Sequence, residues 1–139
     1  MKKFLFSPPY LQDQGLAIIR IVTGLFLVYH GWEVFDQEKM KGYLTWDQFK
    51  TPNASFMVHL GKATEFIAGI QLSLGLFTRV TSLVIAGTML YISFFVGTGK
   101  IWYEDQHPFM FVLLALVFFF AGPGKYSLDN FFFNKQTTS

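Results

Sequence analysis

The chain contains no cysteine. Disulfide staples, thiol catalysis, iron–sulfur clusters and cysteine-type zinc sites are therefore excluded together. Charge is also scarce. Asp, Glu, Lys and Arg make up 14% of the 139 residues, about half the share of an ordinary soluble domain. The formal net charge of +2 comes with no basic patch, so nucleic acid is not a partner. What fills the chain instead is apolar: 52% hydrophobic residues, with eighteen Phe. A soluble fold this short has too little interior to hide that surface. The sequence reads as one integral membrane domain, residues 1–139, whose first partner is the lipid bilayer. Any redox role would fall to a bound cofactor, a quinone or a partner protein.

Four apolar segments are expected to span, at about 15–35, 56–77, 80–97 and 107–122. Each approaches the length that crosses roughly 30 Å of hydrocarbon as a helix, the fourth being the shortest. Backbone groups in lipid must bond internally, which makes the spans helical. The only long connection is the charge-rich stretch 36–55, closed by Thr51-Pro52-Asn53; Asn53 or Ser55 is placed to cap the second helix. The tight link at Thr78-Arg79 implies neighbouring, oppositely directed helices. The expected fold class is all-α, a membrane-spanning antiparallel four-helix bundle.

The opening MKKFLFSPPY has too short an apolar run for a cleaved signal peptide, so the first span is expected to act as an uncleaved anchor. Lys2, Lys3, Arg79, Lys125 and Lys135 fall on one side of the spans, and Lys39, Lys41, Lys50 and Lys100 on the other. This small bias favours the cytoplasmic (inner) membrane with both termini in the cytoplasm. Trp32, Trp46 and Trp102, with Tyr43 and Tyr103, gather on the outer side as an interfacial belt.

Against this background Glu65 stands out, because a carboxylate within a span is costly unless paired, protonated or hydrated. At about 1.5 Å per residue, Glu65 lies roughly 18 Å from the cytoplasmic end. His30 and Lys62 lie at roughly 22 Å, Glu33 and His59 at roughly 27 Å, and Arg20 at roughly 7 Å. Glu104 and His107 open the fourth span on the outer side. An outer-half polar cluster (Glu33, His59, Glu104, His107) therefore sits above Glu65, with Arg20 beneath. His30 is the expected neighbour of Glu65, and Arg20 is too deep for an easy direct pair.

Helical faces add detail. Gly61, Glu65 and Gly69 share one face of the second span, and Arg20, Thr23, Gly24, Leu27 and Gly31 one face of the first. Small residues on such faces allow close helix approach. Glu33 points nearly opposite to Arg20, toward the interface. Structural readings stand beside functional ones. Arg20 and Lys62 can snorkel, Arg20 alternatively pairing with Glu65, while Glu33, Glu104 and Asp105 read as solvated. His30 can simply bond a carbonyl, and Glu65 can hold a buried protonated hydrogen bond. The ligand or proton-site candidates are Glu65, His30, Arg20 and Lys62. No metal is expected, since a di-iron bundle needs repeated Glu-x-x-His pairs and only one reversed version, His30 and Glu33, is present. Haem finds no better support.

Several of these residues form a pattern. Arg20, His30-Gly31, Gly61-Lys62-Ala63-Thr64-Glu65 and Leu74-Gly75-Leu76-Phe77-Thr78-Arg79 are followed by Glu104 before Pro108 and by Gly122-Pro123-Gly124 with Ser127-Leu128-Asp129. In this order they resemble the DoxX family of small four-helix membrane proteins. Family members often carry a Lys shortly after the His-Gly pair, where this chain has Glu33 and Asp36. The resemblance implies the fold and the membrane location. It also implies a link to membrane redox systems, since the family takes its name from a subunit of an archaeal thiosulfate:quinone oxidoreductase.

Two functions follow as expectations. In the first, the chain is a subunit or accessory of a membrane redox system and holds a quinone or other lipophilic small molecule. Glu65 and His30 would bond its head and the aromatic fourth span would line its tail. In the second it is a non-enzymatic membrane scaffold for a partner complex. A membrane or peripheral redox partner and a second copy of the chain are the protein partners these readings allow. A cavity beside Glu65 favours the first, and a sealed Glu65 favours the second. A small carrier is a weaker third option, for no broken helix or inverted repeat is seen.

Overall fold

The structure is a computed structural model that describes Leu5 and residues 8–134. Lys2, Lys3 and Lys135, on which the orientation count leans, lie outside these residues, as does most of the segment read as lacking a signal peptide. The described residues are helical, with no strand among them. Helix α1 covers Gln12–Gly31 and tightens into a 3-10 turn, Trp32–Phe35. A short helix α2, Gln37–Tyr43, and a 3-10 turn, Asp47–Phe49, form the long connection. Helix α3 covers Ala54–Leu74, and α4 covers Thr78–Tyr91 and runs on as a π-helical turn, Ile92–Val96. Helices α5, Gln106–Ala121, and α6, Leu128–Phe133, follow.

Two stretches, Gln12–Phe35 and Thr78–Val96, are long and apolar enough to cross a membrane, and Gln106–Ala121 is a shorter apolar helix. Helix α3 has the length, 21 residues, but carries His59, Lys62 and Glu65. Large apolar side chains point outward along these helices, among them Ile18, Phe26, Val80 and Phe120. Water would penalise such a surface, whereas hydrocarbon does not.

Helix α1 packs along α3, α3 beside α4, and α4 along α5. Backbone contact closes the first seam. A Cβ on Gly69 would lie 2.7 Å from both the Gly24 carbonyl oxygen and the Val28 nitrogen, and one on Gly31 would collide with the Phe66 backbone. The core between the pairs is built from Leu27, Leu72, Ile85, Met89, Val112, Ala115 and Phe118. Asn53 occupies the N-cap position of α3, but neither its side chain nor that of Ser55 caps the helix.

The end of the molecule away from His30 and Glu65 is tied by hydrogen bonds. Gly75, at φ 68°, ends α3 in a left-handed turn, with Leu76 N–H donating to the Gln71 carbonyl at 2.9 Å. Phe77 also adopts a left-handed conformation, φ 50°, which is strained for an aromatic residue. Asp129 holds it there, accepting the N–H groups of Phe77 at 2.6 Å and Thr78 at 2.8 Å, while its own N–H donates to Gly75 at 2.9 Å. The Gly75–Thr78 and Ser127–Asp129 motifs thus lock to each other.

Arg20 belongs to the same lock. Only 2% exposed, it donates to the carbonyls of Pro123 and, at 2.7 Å, Tyr126. Neither snorkelling nor a pair with Glu65 describes it. The turn at 122–127 folds back under α1 and supplies two fixed acceptors, which suit a planar guanidinium fork.

Candidate ligand site at the Lys62–Glu65 pair

Glu65 is 6% exposed on α3, one turn beyond Lys62. The Lys62 ammonium lies 3.1 Å from Glu65 Oε2 and 3.2 Å from Glu33 Oε2. One cation thus bridges two carboxylates on two helical segments. His30 is not the partner of Glu65 in this arrangement, and Lys62 turns inward rather than snorkelling. Glu33, half-buried, turns toward Lys62 on α3. The 3-10 winding from Trp32 rotates it away from the phase of a continuous α-helix, and the long stem of Lys62 covers the remaining gap.

Tyr43 completes the group from the connecting segment. Its hydroxyl donates to Glu33 Oε2 at 2.6 Å, and the Lys62 ammonium stands 5.2 Å from the centre of its ring. Burial, and then the bond to Glu33, push the Tyr43 phenol above its ordinary value, so it remains a donor at neutral pH. Lys39 adds a second, looser contact to Glu33 at 3.7 Å.

Lys62 and Glu65 face a cavity of about 260 Å³. Lys62, Glu65, His30, His107 and Thr88 are polar points in a wall that is otherwise mostly aromatic and aliphatic, with Tyr43, Trp46 and Phe49 contributed from the connecting segment. Gly61 also lines it. A Cβ there would meet nothing within 4 Å, so this glycine leaves the cavity open rather than closing a helix seam. His107 stands edge-on to His30, ring centres 5.3 Å apart, and Phe111 packs against both.

The rest of the outer cluster disperses. His59 is exposed and donates through Nδ1 to the Ser55 carbonyl at 2.7 Å. Glu104 is exposed and accepts from the Thr98 hydroxyl at 2.9 Å. Asp105 is not solvated but 9% exposed, and it organises the loop before α5. It accepts the Thr98 N–H and hydroxyl, both at 2.8 Å, and the Lys100 N–H at 3.2 Å. Burial pulls its carboxyl upward, but these bonds outweigh that and hold it below the ordinary value. Among the described residues no three His, Asp or Glu side chains converge as a metal centre would require.

Tyr43, Trp46, Phe49 and Phe111 were not singled out as site residues in the sequence. The signs there are the aromatic, amphipathic connection, the interfacial belt that includes Tyr43 and Trp46, and the aromatic fourth span that holds Phe111.

Apolar helices with outward hydrophobic surfaces, and a charged pair in an aromatic-lined cavity, are the form of a small helical membrane protein. The DoxX family model matches residues 15–98, and the chain belongs to the DoxX family. It is 30% identical over 127 residues to an uncharacterised protein of Haemophilus influenzae, covering 86% of this chain and 92% of that one. It is also 30% identical over 129 residues to the inner membrane protein YqjF of Escherichia coli, with the same coverage of each chain. No solved structure matches it. The matched segment holds Arg20, His30, Lys62 and Glu65, whereas His107 and the Ser127–Asp129 motif lie beyond it.

Proposed function

We propose that this protein binds a lipophilic small molecule with a polar head, of the quinone class, in the cavity beside Lys62 and Glu65. In this reading it is a multi-pass protein of the cytoplasmic membrane, an antiparallel four-helix bundle with both termini in the cytoplasm. It serves a membrane redox system as a subunit or accessory. The inner-membrane relative supports the location. The observation that carries the reading is that Glu65 faces open space instead of packed side chains. Apolar walls with a few convergent polar groups are the usual form of a small-molecule site.

The chemistry suits a head with carbonyl or hydroxyl oxygens. The Lys62 ammonium presents hydrogen-bond donors to such oxygens. Neither His30 nor His107 has a ring nitrogen engaged in a hydrogen bond among the described residues, so both can donate or accept. Glu65 can take a proton from, or return one to, a head that is reduced or oxidised nearby.

The test is binding of a benzoquinone to the detergent-solubilised protein, followed calorimetrically. Wild type is expected to bind saturably, and a folded Glu65→Gln variant to bind more weakly. Normal binding by a stably folded Glu65→Gln variant would remove the proton-exchange role. No saturable binding by wild type would remove the reading itself, and the scaffold alternative would take its place.

A further inference from the structure

A second hollow, about 630 Å³, runs between α1 and α5. Ile18, Val22 and Phe26 form one bank, and Met110 and Leu114 face them. These walls are apolar, and Ile18 at 62% and Met110 at 49% exposure open directly onto the lipid side. The seam is also loosely closed. Helix α1 lies along α3 for much of its length but meets α5 only sparsely.

The two hollows share a wall. His107 and Phe111 line both the Lys62–Glu65 cavity and the α1–α5 groove. His30 closes on them from α1, its ring centre 5.3 Å from that of His107 and 6.5 Å from that of Phe111. A polar chamber and an apolar groove are therefore divided only by a wall of three rings. The chamber, at about 260 Å³, falls just below the range of roughly 300–1,000 Å³ typical of sites that enclose a whole drug-sized ligand. It has room for a head and none for a long tail.

Resting on the binding reading above, we propose that the ligand is a tailed amphiphile. Its head fills the cavity, the His107 and Phe111 rings turn aside to let its chain cross their shared wall, and its tail lies in the α1–α5 groove. This gives the ligand a path to the site from the bilayer, through the apolar α1–α5 groove. It also assigns His107 as a positioning residue, where head and tail divide.

Two probes test it on the full-length protein: a decyl-tailed benzoquinone and the same benzoquinone without the tail. Val22→Trp fills the groove at a position already 43% exposed. It is expected to weaken the tailed probe by about tenfold or more and to leave the tail-less probe unchanged. Leu83→Trp, on the outward face of α4 and on neither hollow, is expected to change neither. Should Val22→Trp weaken both probes, labelling decides. A diazirine at the tail end is expected to mark Ile18, Val22, Met110 or Leu114 in wild type. Equal binding of the tailed probe by wild type and Val22→Trp, or labelling spread over outward residues such as Leu83, would overturn the tail assignment while leaving head binding intact. If wild type binds neither probe, both readings fall.

Discussion

Lys62 and Glu65 stand one helical turn apart on α3 and meet at 3.1 Å, with the same ammonium 3.2 Å from Glu33. The pair accounts for how a carboxylate is held at 6% exposure. It is neither buried alone nor exposed, but neutralised by a neighbour from its own helix. Lys62 in turn holds the end of α1 against α3 through Glu33. Replacing Lys62 by Met leaves two carboxylates near each other without their cation, which is costly in a low-dielectric setting. A double-mutant cycle of Lys62→Met and Glu65→Gln in thermal or denaturant unfolding is expected to show coupling of about 1–2 kcal/mol. Additive effects would mean that the two side chains do not interact in the protein.

Arg20 makes a different kind of buried contact, two fixed carbonyls at the foot of α1. Arg20→Lys keeps the charge but cannot supply a planar fork. It is expected to destabilise the protein by about 1.5–3 kcal/mol while leaving benzoquinone binding intact, because Arg20 does not line the cavity. Selective loss of binding in a stable Arg20→Lys variant would argue against a structural role.

The glycines of α3 separate by role. Gly69→Ala forces a Cβ onto the Gly24 carbonyl and the Val28 nitrogen, and overpacking of this kind costs about 1–3 kcal/mol. Gly61→Ala meets open space and is expected to stay within about 0.5 kcal/mol of wild type, or to gain from better helix propensity. A comparable loss in both variants, measured by melting temperature, would contradict the assignment of Gly61 to a cavity wall.

Asp105 gives the loop before α5 a pH dependence. Its folded carboxyl is held below the ordinary value by bonds from Thr98, Lys100 and Gly99. The stability this contributes is therefore present above the unfolded carboxyl pKa. It is lost as pH falls through that value toward the lower folded one. Wild type is expected to lose melting temperature as the solution is acidified through the carboxylate range, and Asp105→Asn to start lower and lose less there. Parallel profiles would show that Asp105 is not responsible.

Much of the helical layout is legible in residue order. Apolar runs, the charge-rich 36–55 connection and the break at Thr78-Arg79 mark where helices begin and end, and the ordered motifs indicate the DoxX family. The partners of the charged groups are less legible. A depth scale ranks residues along the bilayer normal but says little about rotation around it. It therefore sets His30 beside Glu65 and overlooks a lysine three residues away. Arg20 was harder still, because its acceptors are backbone carbonyls of a turn more than a hundred residues on, and carbonyls leave no trace in side-chain identity. Asp105 looked solvated because its donors come from the backbone of a loop that forms only after α4 unwinds through its π turn.

The central claim is that the space beside Lys62 and Glu65 holds a lipophilic ligand. Native mass spectrometry of the protein taken from its own membrane tests this most directly, comparing wild type with Gly61→Phe, in which a ring occupies the cavity. The expected result is a small lipophilic adduct on wild type that is absent from a stably folded Gly61→Phe variant. An adduct of equal occupancy on both proteins, or none on wild type, would contradict the account.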